Sequence, residues 1–512
     1  MGVNGNLFVA LRGAFPAELG ATAIETLDGQ PLVYTWRDLE RATAMLANLL
    51  ASLELPANAR IAVQTEKSVE ALLLYLAVLR AGFVYLPLNP AYRQSELEYF
   101  IGNAEPSVVV CSSKNFGWVS RLAFQAGTQH VFTMNEDRSG TLLDRAALQN
   151  DSHRPAPKRA DDLAAILYTS GTTGRSKGAM LSHGNLLSNA AMLKGYWGWR
   201  GDDVLIHALP IFHVHGLFVA IHGALLGGSK MLWFSKFDPK TVLVALRQAT
   251  VFMGVPTLYM RLLAEPGLGR EACTAMRLFI SGSAPLLTET FHQFRERTGH
   301  TILERYGMSE TLMLTSNPFH HHDGERLGGT VGFALPGVGV RVATAPGAMA
   351  THGEVGNVEV KGPNVFSGYW RMPEKTREEF TDDGWFRTGD VGSLDAQGRL
   401  SIVGRSKDLI ISGGFNVYPA EIEGYLNEAE GVLESAVIGT PHPDFGEGVL
   451  AVVVPRAGAT LEPEALIAAL KGRIANYKVP KRVFLADALP RNAMGKVQKN
   501  VLREQHQDLF MR

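Results

Sequence analysis

The stretch YTSGTTGRSKG, Tyr168 to Gly178, follows an apolar run and combines glycines, serine and threonine hydroxyls and two cations, Arg175 and Lys177. Flexible backbone amides, short hydroxyl donors and positive charge together suit a chain of phosphates. A Walker loop, G-x-x-x-x-G-K-[ST], is excluded. Counted from Gly171, its second glycine falls on Ser176, and Gly178 follows Lys177 where a metal-binding hydroxyl belongs. Taken alone, the stretch could also be a polar turn. His213 and His215 in FHVHG are spaced as metal ligands on a strand could be, but no cysteine or carboxylate partner accompanies them. A role for His213 as a pocket wall or carboxylate neighbour is expected instead. The HHH run at 320–322 lies between polar segments and reads as a solvated loop.

The elements that must position such groups alternate along the chain. Apolar runs such as RIAVQT, FVYLPLN, DVLIHALP and TVFMGVP are separated by helical patterns such as SVEALLLYLAVLRAG, which predicts layered α/β architecture with buried strands. At 512 residues the chain exceeds the roughly 250–300 residues at which single cores stop growing, so two or more domains are expected. After about residue 340 the texture changes to short runs broken by glycine, such as GNVEVKG and GRLSIVG. Beyond about residue 430 a separate small αβ pattern begins, and the junction is predicted within IVGRSKDLI, 402–410.

The formal net charge of -1 provides no overall field for nucleic acid or a membrane surface, so a polyanionic ligand needs a local site. Two cysteines, Cys111 and Cys273, are too few for a disulfide framework. The N-terminus lacks a secretory pattern, its Gly2 lacks the hydroxyl residue of a myristoylation signal, and no window approaches about 18 apolar residues. A cytoplasmic protein with no nucleic-acid or membrane partner is expected.

Four further stretches follow the first in order: RYGMSE at 305–310, GWFRTGD at 384–390, GRSKDLIISGG at 404–414 and PRNAMGKVQK at 490–499. Together the five resemble the motif series of the adenylate-forming superfamily of acyl-CoA synthetases, adenylation domains and luciferases, across roughly residues 25–503. Within it, LPIFHVHGLFVA, GVPTLYMRLL, MRLFISGSAPL, HPDFGEGV and LPRNAMGKVQKNVLRE look most like the malonyl-CoA synthetases. The resemblance implies a large N-terminal domain of layered αβ subdomains (1–403), a hinge (404–408) and a small, mobile α+β C-terminal lid domain (409–512). It also implies an ATP-dependent ligation through acyl-AMP, with coenzyme A as co-substrate and Mg²⁺ as the metal.

Carried over residue by residue, the resemblance implies that Thr169, Ser170, Gly171, Thr172, Thr173, Gly174 and Lys177 hold the β- and γ-phosphates. Glu310 would bind Mg²⁺, and Ser309, where threonine is usual, would keep a hydroxyl on the α-phosphate. Tyr306 would stack on adenine beside Gly282, Ser283, Ala284 and Pro285. Asp390 would accept the ribose hydroxyls, with Arg405 as a second contact. Lys496 would bridge the reacting carboxylate and the α-phosphate, and as a lone essential ammonium it would be a target for a protein lysine acetyltransferase and deacetylase. Lys407 matches the pivot of the hinge, while Gly413 and Gly414 would line the pantetheine tunnel.

A dicarboxylate adds a charge that apolar walls reject, so its pocket needs a buried cation with forked geometry. The resemblance to malonyl-CoA synthetases implies Arg277, just ahead of LFISGSAP, as the partner of the distal carboxylate, with Arg261 as the alternative; His213, Met308 and Val214 would bound the acyl group. Malonate or methylmalonate is then the expected acid. A monocarboxylic aryl or fatty acid, or a catalytically inactive module of the same fold, are the alternatives.

Overall fold

The computed structural model describes residues 4–169, 176–492 and 495–510. Its largest sheet has nine strands. The centre is parallel, formed by Thr22–Thr26, Lys230–Trp233, Val204–His207, Val251–Gly254, Leu278–Ser281 and Leu303–Met308. Antiparallel strands Val33–Thr35, Leu312–Ser316 and Phe333–Ala334 complete its edges. The innermost strands are mostly apolar because both their faces are covered; Val251–Gly254 and Leu278–Ser281 are buried at every residue.

A second sheet of six strands runs His130–Thr133, Val108–Cys111, Arg60–Gln64, Val84–Pro87, Leu163–Thr169 and Lys177–Ser182, the last antiparallel to its neighbour. Helix Val69–Arg80 is buried along its whole length, as expected of a helix that is apolar all round. Ser68 caps it by accepting from the Ala71 amide at 3.1 Å. Residues of this helix and of both sheets share one core, so the two sheets are packed as layers of a single unit.

The glycine-broken runs after residue 340 form a third, antiparallel sheet of Ala348–Met349, Gly339–Ala345, Gly356–Lys361, Phe386–Leu394 and Leu400–Arg405. A single 3₁₀ turn, Ser406–Asp408, then leads into a sheet made of Phe415–Val417, Ile410–Ser412, Gly446–Pro455 and Val432–His442, with Arg482–Leu485 parallel beside Gly446–Pro455. Helices Pro419–Asn427, Pro463–Lys471 and Lys499–His506 cover it, and it has hydrophobic clusters of its own. Gly413 and Gly414, at φ 59° and 81°, make the two-residue turn between Ile410–Ser412 and Phe415–Val417, a geometry that requires positive φ at both positions. The α/β class with a large first part and a small α+β tail is therefore the architecture seen. Among the described residues no helix is long and apolar enough to cross a membrane.

One irregular element separates strand from helix near the carboxyl edge of the large sheet. After Val204–His207 the chain loops through 208–214 and enters a π-helical segment, His215–Ile221. The His207 ring donates from Nε2 to the Gly216 carbonyl at 3.0 Å, folding the loop back on the strand. A Cβ at Gly216 would stand 2.1 Å from the Pro210 carbonyl oxygen, which is backbone and has nowhere to go. Gly216→Ala should therefore cost about 1–3 kcal/mol through overpacking, read as a lower urea midpoint, and should raise the KM for the acid because the same loop carries His213.

Candidate active site

The parallel strands Val204–His207, Val251–Gly254, Leu278–Ser281 and Leu303–Met308 all end on the same side, and the crevice beyond those ends collects most of the candidate residues. Gly282 to Pro285 leave the third of these strands. Ser283 sits there in the left-handed region at φ 71°, a strained conformation for a side-chain-bearing residue. Its Oγ lies 3.3 Å from His215 Nδ1, and the His215 amide donates to His213 Nδ1 at 3.4 Å. Burial, then the nearby Lys496 and Arg305 cations, push the His213 ring down to about 3. It is neutral at working pH, and with Nδ1 accepting, its donor is Nε2–H. Met308 is half-buried at the end of its strand, and Val214 belongs to the buried core.

On the nucleotide side, Asp390 is nearly fully buried and its two oxygens are both engaged. Oδ2 accepts from the Tyr306 hydroxyl and Oδ1 faces Arg405 Nε at 2.7 Å. Tyr306 and Arg405 are thereby fixed around one carboxylate; its charge, ahead of the opposing effect of burial, raises the Arg405 guanidinium. Glu310, also buried, accepts from the Tyr369 hydroxyl at 3.0 Å. Burial raises its carboxyl, while its own backbone, Tyr369, Lys177 and Arg405 act in the other direction. Ser309, beside it, is half-buried. A single carboxylate beside a cation matches the way Mg²⁺ is usually held, by one or two carboxylates together with substrate phosphates. Thr169 Oγ1 donates to the Lys177 carbonyl at 3.3 Å, between the paired strands Leu163–Thr169 and Lys177–Ser182. Ser170, Gly171, Thr172, Thr173 and Gly174 lie outside the described residues.

Lys496 comes from the small C-terminal unit. Its amide donates to Asn492 Oδ1 at 3.0 Å and its carbonyl accepts from the Asn492 amide at 2.9 Å, so a tight turn presents the side chain. The residue is exposed as a whole, and its ammonium lies within electrostatic reach of Arg405, Asp390, Glu310, Arg305 and His213. The surrounding walls lower its pKa by desolvation, with Arg405 and Arg305 adding to that and the two carboxylates opposing it. Two lone features of the sequence, 106 and more positions apart, thus meet across the cleft. Lys407 is exposed on the turn Ser406–Asp408; the adjacent Asp408 pairs with Arg503 at 2.7 Å.

The acyl arginines expected from sequence are not in the crevice. Arg277 stands before Leu278–Ser281, at the amino end of the strand, about 13 Å from its carboxyl end at ~3.3 Å per residue. There it forks onto Asp203, whose side chain is fully buried, with Nε to Oδ1 at 2.6 Å, and stacks over Phe319. Burial works to raise the Asp203 carboxyl, but hydrogen bonds from Arg277, Thr250 and the Arg200 amide outweigh it and hold it below its ordinary value. Arg261 is exposed on helix Pro256–Leu263, over the Phe237 ring at 4.8 Å. The cation that does occupy the crevice is Arg305. It is 2% exposed, and its Nε and Nη2 have no hydrogen-bond partner among the described residues. Its guanidinium lies flat against Gly282, where a Cβ would come within 2.6 Å of Cζ. Burial pushes it down to about 9, with Tyr259 and Glu304 acting the other way. The signal was present in ILERYGM: a charged pair inside an otherwise apolar strand needs a reason to be buried.

An AMP-binding enzyme family model matches residues 18–370, and the AMP-binding enzyme C-terminal domain model matches 421–496. The chain belongs to the AMP-binding enzyme family. Its relatives carry several acid specificities. A malonate–CoA ligase of Arabidopsis thaliana is 34% identical over 479 residues, 87% of this chain and 78% of the relative. A feruloyl-CoA synthase of Amycolatopsis is 36% identical over 471 residues, 92% and 93% of the two chains. Among solved structures, ATP-bound MatB from Rhodopseudomonas palustris is 53% identical, with 99% of this chain and 100% of that one covered and a TM-score of 0.95. The apo form of the same MatB, at the same identity, has a TM-score of 0.84, so this AMP-binding enzyme is arranged more like the ATP-bound form.

Because Arg277 holds a buried carboxylate, Arg277→Met should lower stability by about 3 kcal/mol, the cost of leaving a buried charge unpaired. A urea melt would show this, and the KM for the acid should not change in the protein that remains folded.

Proposed function

We propose that the protein is a malonate–CoA ligase working through malonyl-AMP. A malonate oxygen bonds to the α-phosphorus of ATP while the bond to the bridging oxygen of pyrophosphate breaks. The CoA sulfur then bonds to the acyl carbon, AMP leaves, and the thiol proton goes to solvent. Little covalent chemistry falls to the protein, so positioning and charge neutralisation carry the rate.

The observation that carries this reading is Arg305: a buried guanidinium with Nε and Nη2 unpaired among the described residues is costly unless an anion completes it, and a second carboxylate fits its fork. With Arg305 and the His213 Nε2–H on the distal carboxylate, the other carboxylate faces Lys496, whose compact charge offsets the anion forming at the α-phosphate. Met308 and His213 limit the length of the acid, and methylmalonate is the natural second substrate. Glu310 would hold Mg²⁺, which neutralises phosphate charge when bound; Thr169 and Lys177 would face the β- and γ-phosphates, Ser309 the α-phosphate, and Asp390 with Arg405 the ribose. Residues 1–403 would form the ATP- and acid-binding part and 409–512 the mobile part, turning about 404–408 at Lys407 so that Gly413 and Gly414 approach the pantetheine. The closer likeness to ATP-bound than to apo MatB supports such alternation.

ATP–pyrophosphate exchange with malonate, methylmalonate, acetate, octanoate and benzoate tests the acid. Malonate should exchange best, and preference for octanoate or benzoate would overturn the reading. Arg305→Met should raise the malonate KM by about ten- to a hundred-fold, from the ~1.5–3 kcal/mol of a hydrogen bond to a charged group, while acetate exchange changes little.

Lys496→Ala should abolish exchange yet leave thioester formation from supplied malonyl-AMP largely intact; equal loss of both halves would contradict the assignment. Acetylation of Lys496 by a protein acetyltransferase removes the same charge and should reproduce that pattern until a deacetylase reverses it.

A further inference from the structure

The Lys177 ammonium already has an anionic partner on the chain. Its Nζ lies 3.3 Å from Glu379 Oε1 and 4.2 Å from the centroid of the Tyr369 ring, the same tyrosine that donates to Glu310. Both charged side chains are about one-fifth exposed, at 20% and 23%. The pair is no chance meeting of flexible ends. The segment before helix Pro373–Glu378 is laid along Lys177–Ser182 by bonds from Met180 to Gly368 at 3.0 Å and from Trp370 to Gly178 at 2.7 Å. The Glu379 carbonyl is held by the Arg387 amide at 2.7 Å. Glu379 therefore stands at a fixed place opposite the first residue of the strand that leaves the phosphate stretch. Its Oε1 also receives Lys375 at 3.2 Å.

We propose that Glu379 is an intramolecular stand-in for phosphate: it holds Lys177 before ATP arrives, yields it to the polyphosphate, and takes it back as pyrophosphate leaves. This rests on the reading of Lys177 as a phosphate contact. Several phosphate oxygens of higher charge outcompete one carboxylate, so ATP displaces Glu379. Lys375 keeps the released carboxylate neutralised, so the hand-over does not strand an unpaired anion. On the way out, Glu379 replaces the contact that pyrophosphate gives up. A group that competes for Lys177 weakens ATP and pyrophosphate together and leaves AMP, which has no β- or γ-phosphate, unaffected.

Calorimetric titration of the full-length protein with magnesium pyrophosphate and, separately, with AMP reads the exchange directly. Glu379→Gln should bind pyrophosphate about two- to five-fold more tightly, the range of a partly exposed ion pair. AMP binding should be unchanged, the KM for ATP should fall, and Glu379→Asp should return toward the parent. Lys375→Met should act with the opposite sign, loosening pyrophosphate, because Glu379 then depends on Lys177 alone. Unchanged or weaker pyrophosphate binding in Glu379→Gln, or an equal change for AMP, would overturn the proposal. Lys177→Met separates the two layers. If it leaves pyrophosphate binding unchanged, the phosphate role of Lys177 has failed. If it weakens binding but Glu379→Gln still tightens it in the Lys177→Met background, the hand-over has failed instead.

Discussion

The site depends on gathering positive charge in a chain that has almost none to spare. With a net charge of -1, the protein offers polyanionic substrates no general attraction, so the cations must be local. Lys177, Arg405 and Lys496 lie around the buried carboxylates Glu310 and Asp390, while Arg305 stands against Gly282 near Lys496 and His213, and each cation comes from a different stretch of chain. Such a concentration is stable without ligands only if the charges are partly neutralised within the chain. Asp390 does this for Arg405 and Glu379 for Lys177, while Arg305 is left incompletely paired. That difference in satisfaction separates Arg405 and Lys177, which keep a partner on the chain, from Arg305, whose open hydrogen bonds carry the malonate reading proposed above.

The scaffold makes this arrangement possible by ending four parallel strands at one edge. Their carboxyl ends project the 208–214 loop, the Gly282–Pro285 turn and the Tyr306–Glu310 segment toward one crevice. The irregular features cluster there too: the π-helical segment after His213, the left-handed Ser283, and the glycine pressed against Arg305. The opposite end of the same strands is given to stability, with Arg277 clamped on Asp203. A strand only a few residues long thus separates two arginines of unrelated purpose.

Much of this was legible before any fold was known. The alternation of apolar runs and helical patterns announces layered α/β structure because buried parallel strands cannot afford alternate polar residues, and the glycine-broken runs after 340 announce the antiparallel sheet. The five ordered stretches point to ATP and to Lys496, Glu310 and Asp390, and these three do come together. Of the acid pocket, His213 and Met308 were legible, but the choice of arginine was not. Arg277, Arg261 and Arg305 all lie near suitable motifs, and proximity in sequence says nothing about which end of a strand, or which face of a helix, a guanidinium reaches.

The sequence alone determined the architecture class, the nucleotide chemistry and the residues that belong to short local signatures, because backbone preferences and phosphate recognition are encoded within a few neighbouring positions. Only the tertiary structure decided that Arg305 is buried with hydrogen bonds left open among the described residues, that Arg277 is clamped on Asp203, and that Lys177 faces Glu379. Those outcomes depend on burial and pairing across tens to hundreds of residues, and whether a charge is satisfied is settled only when the chain has folded around it.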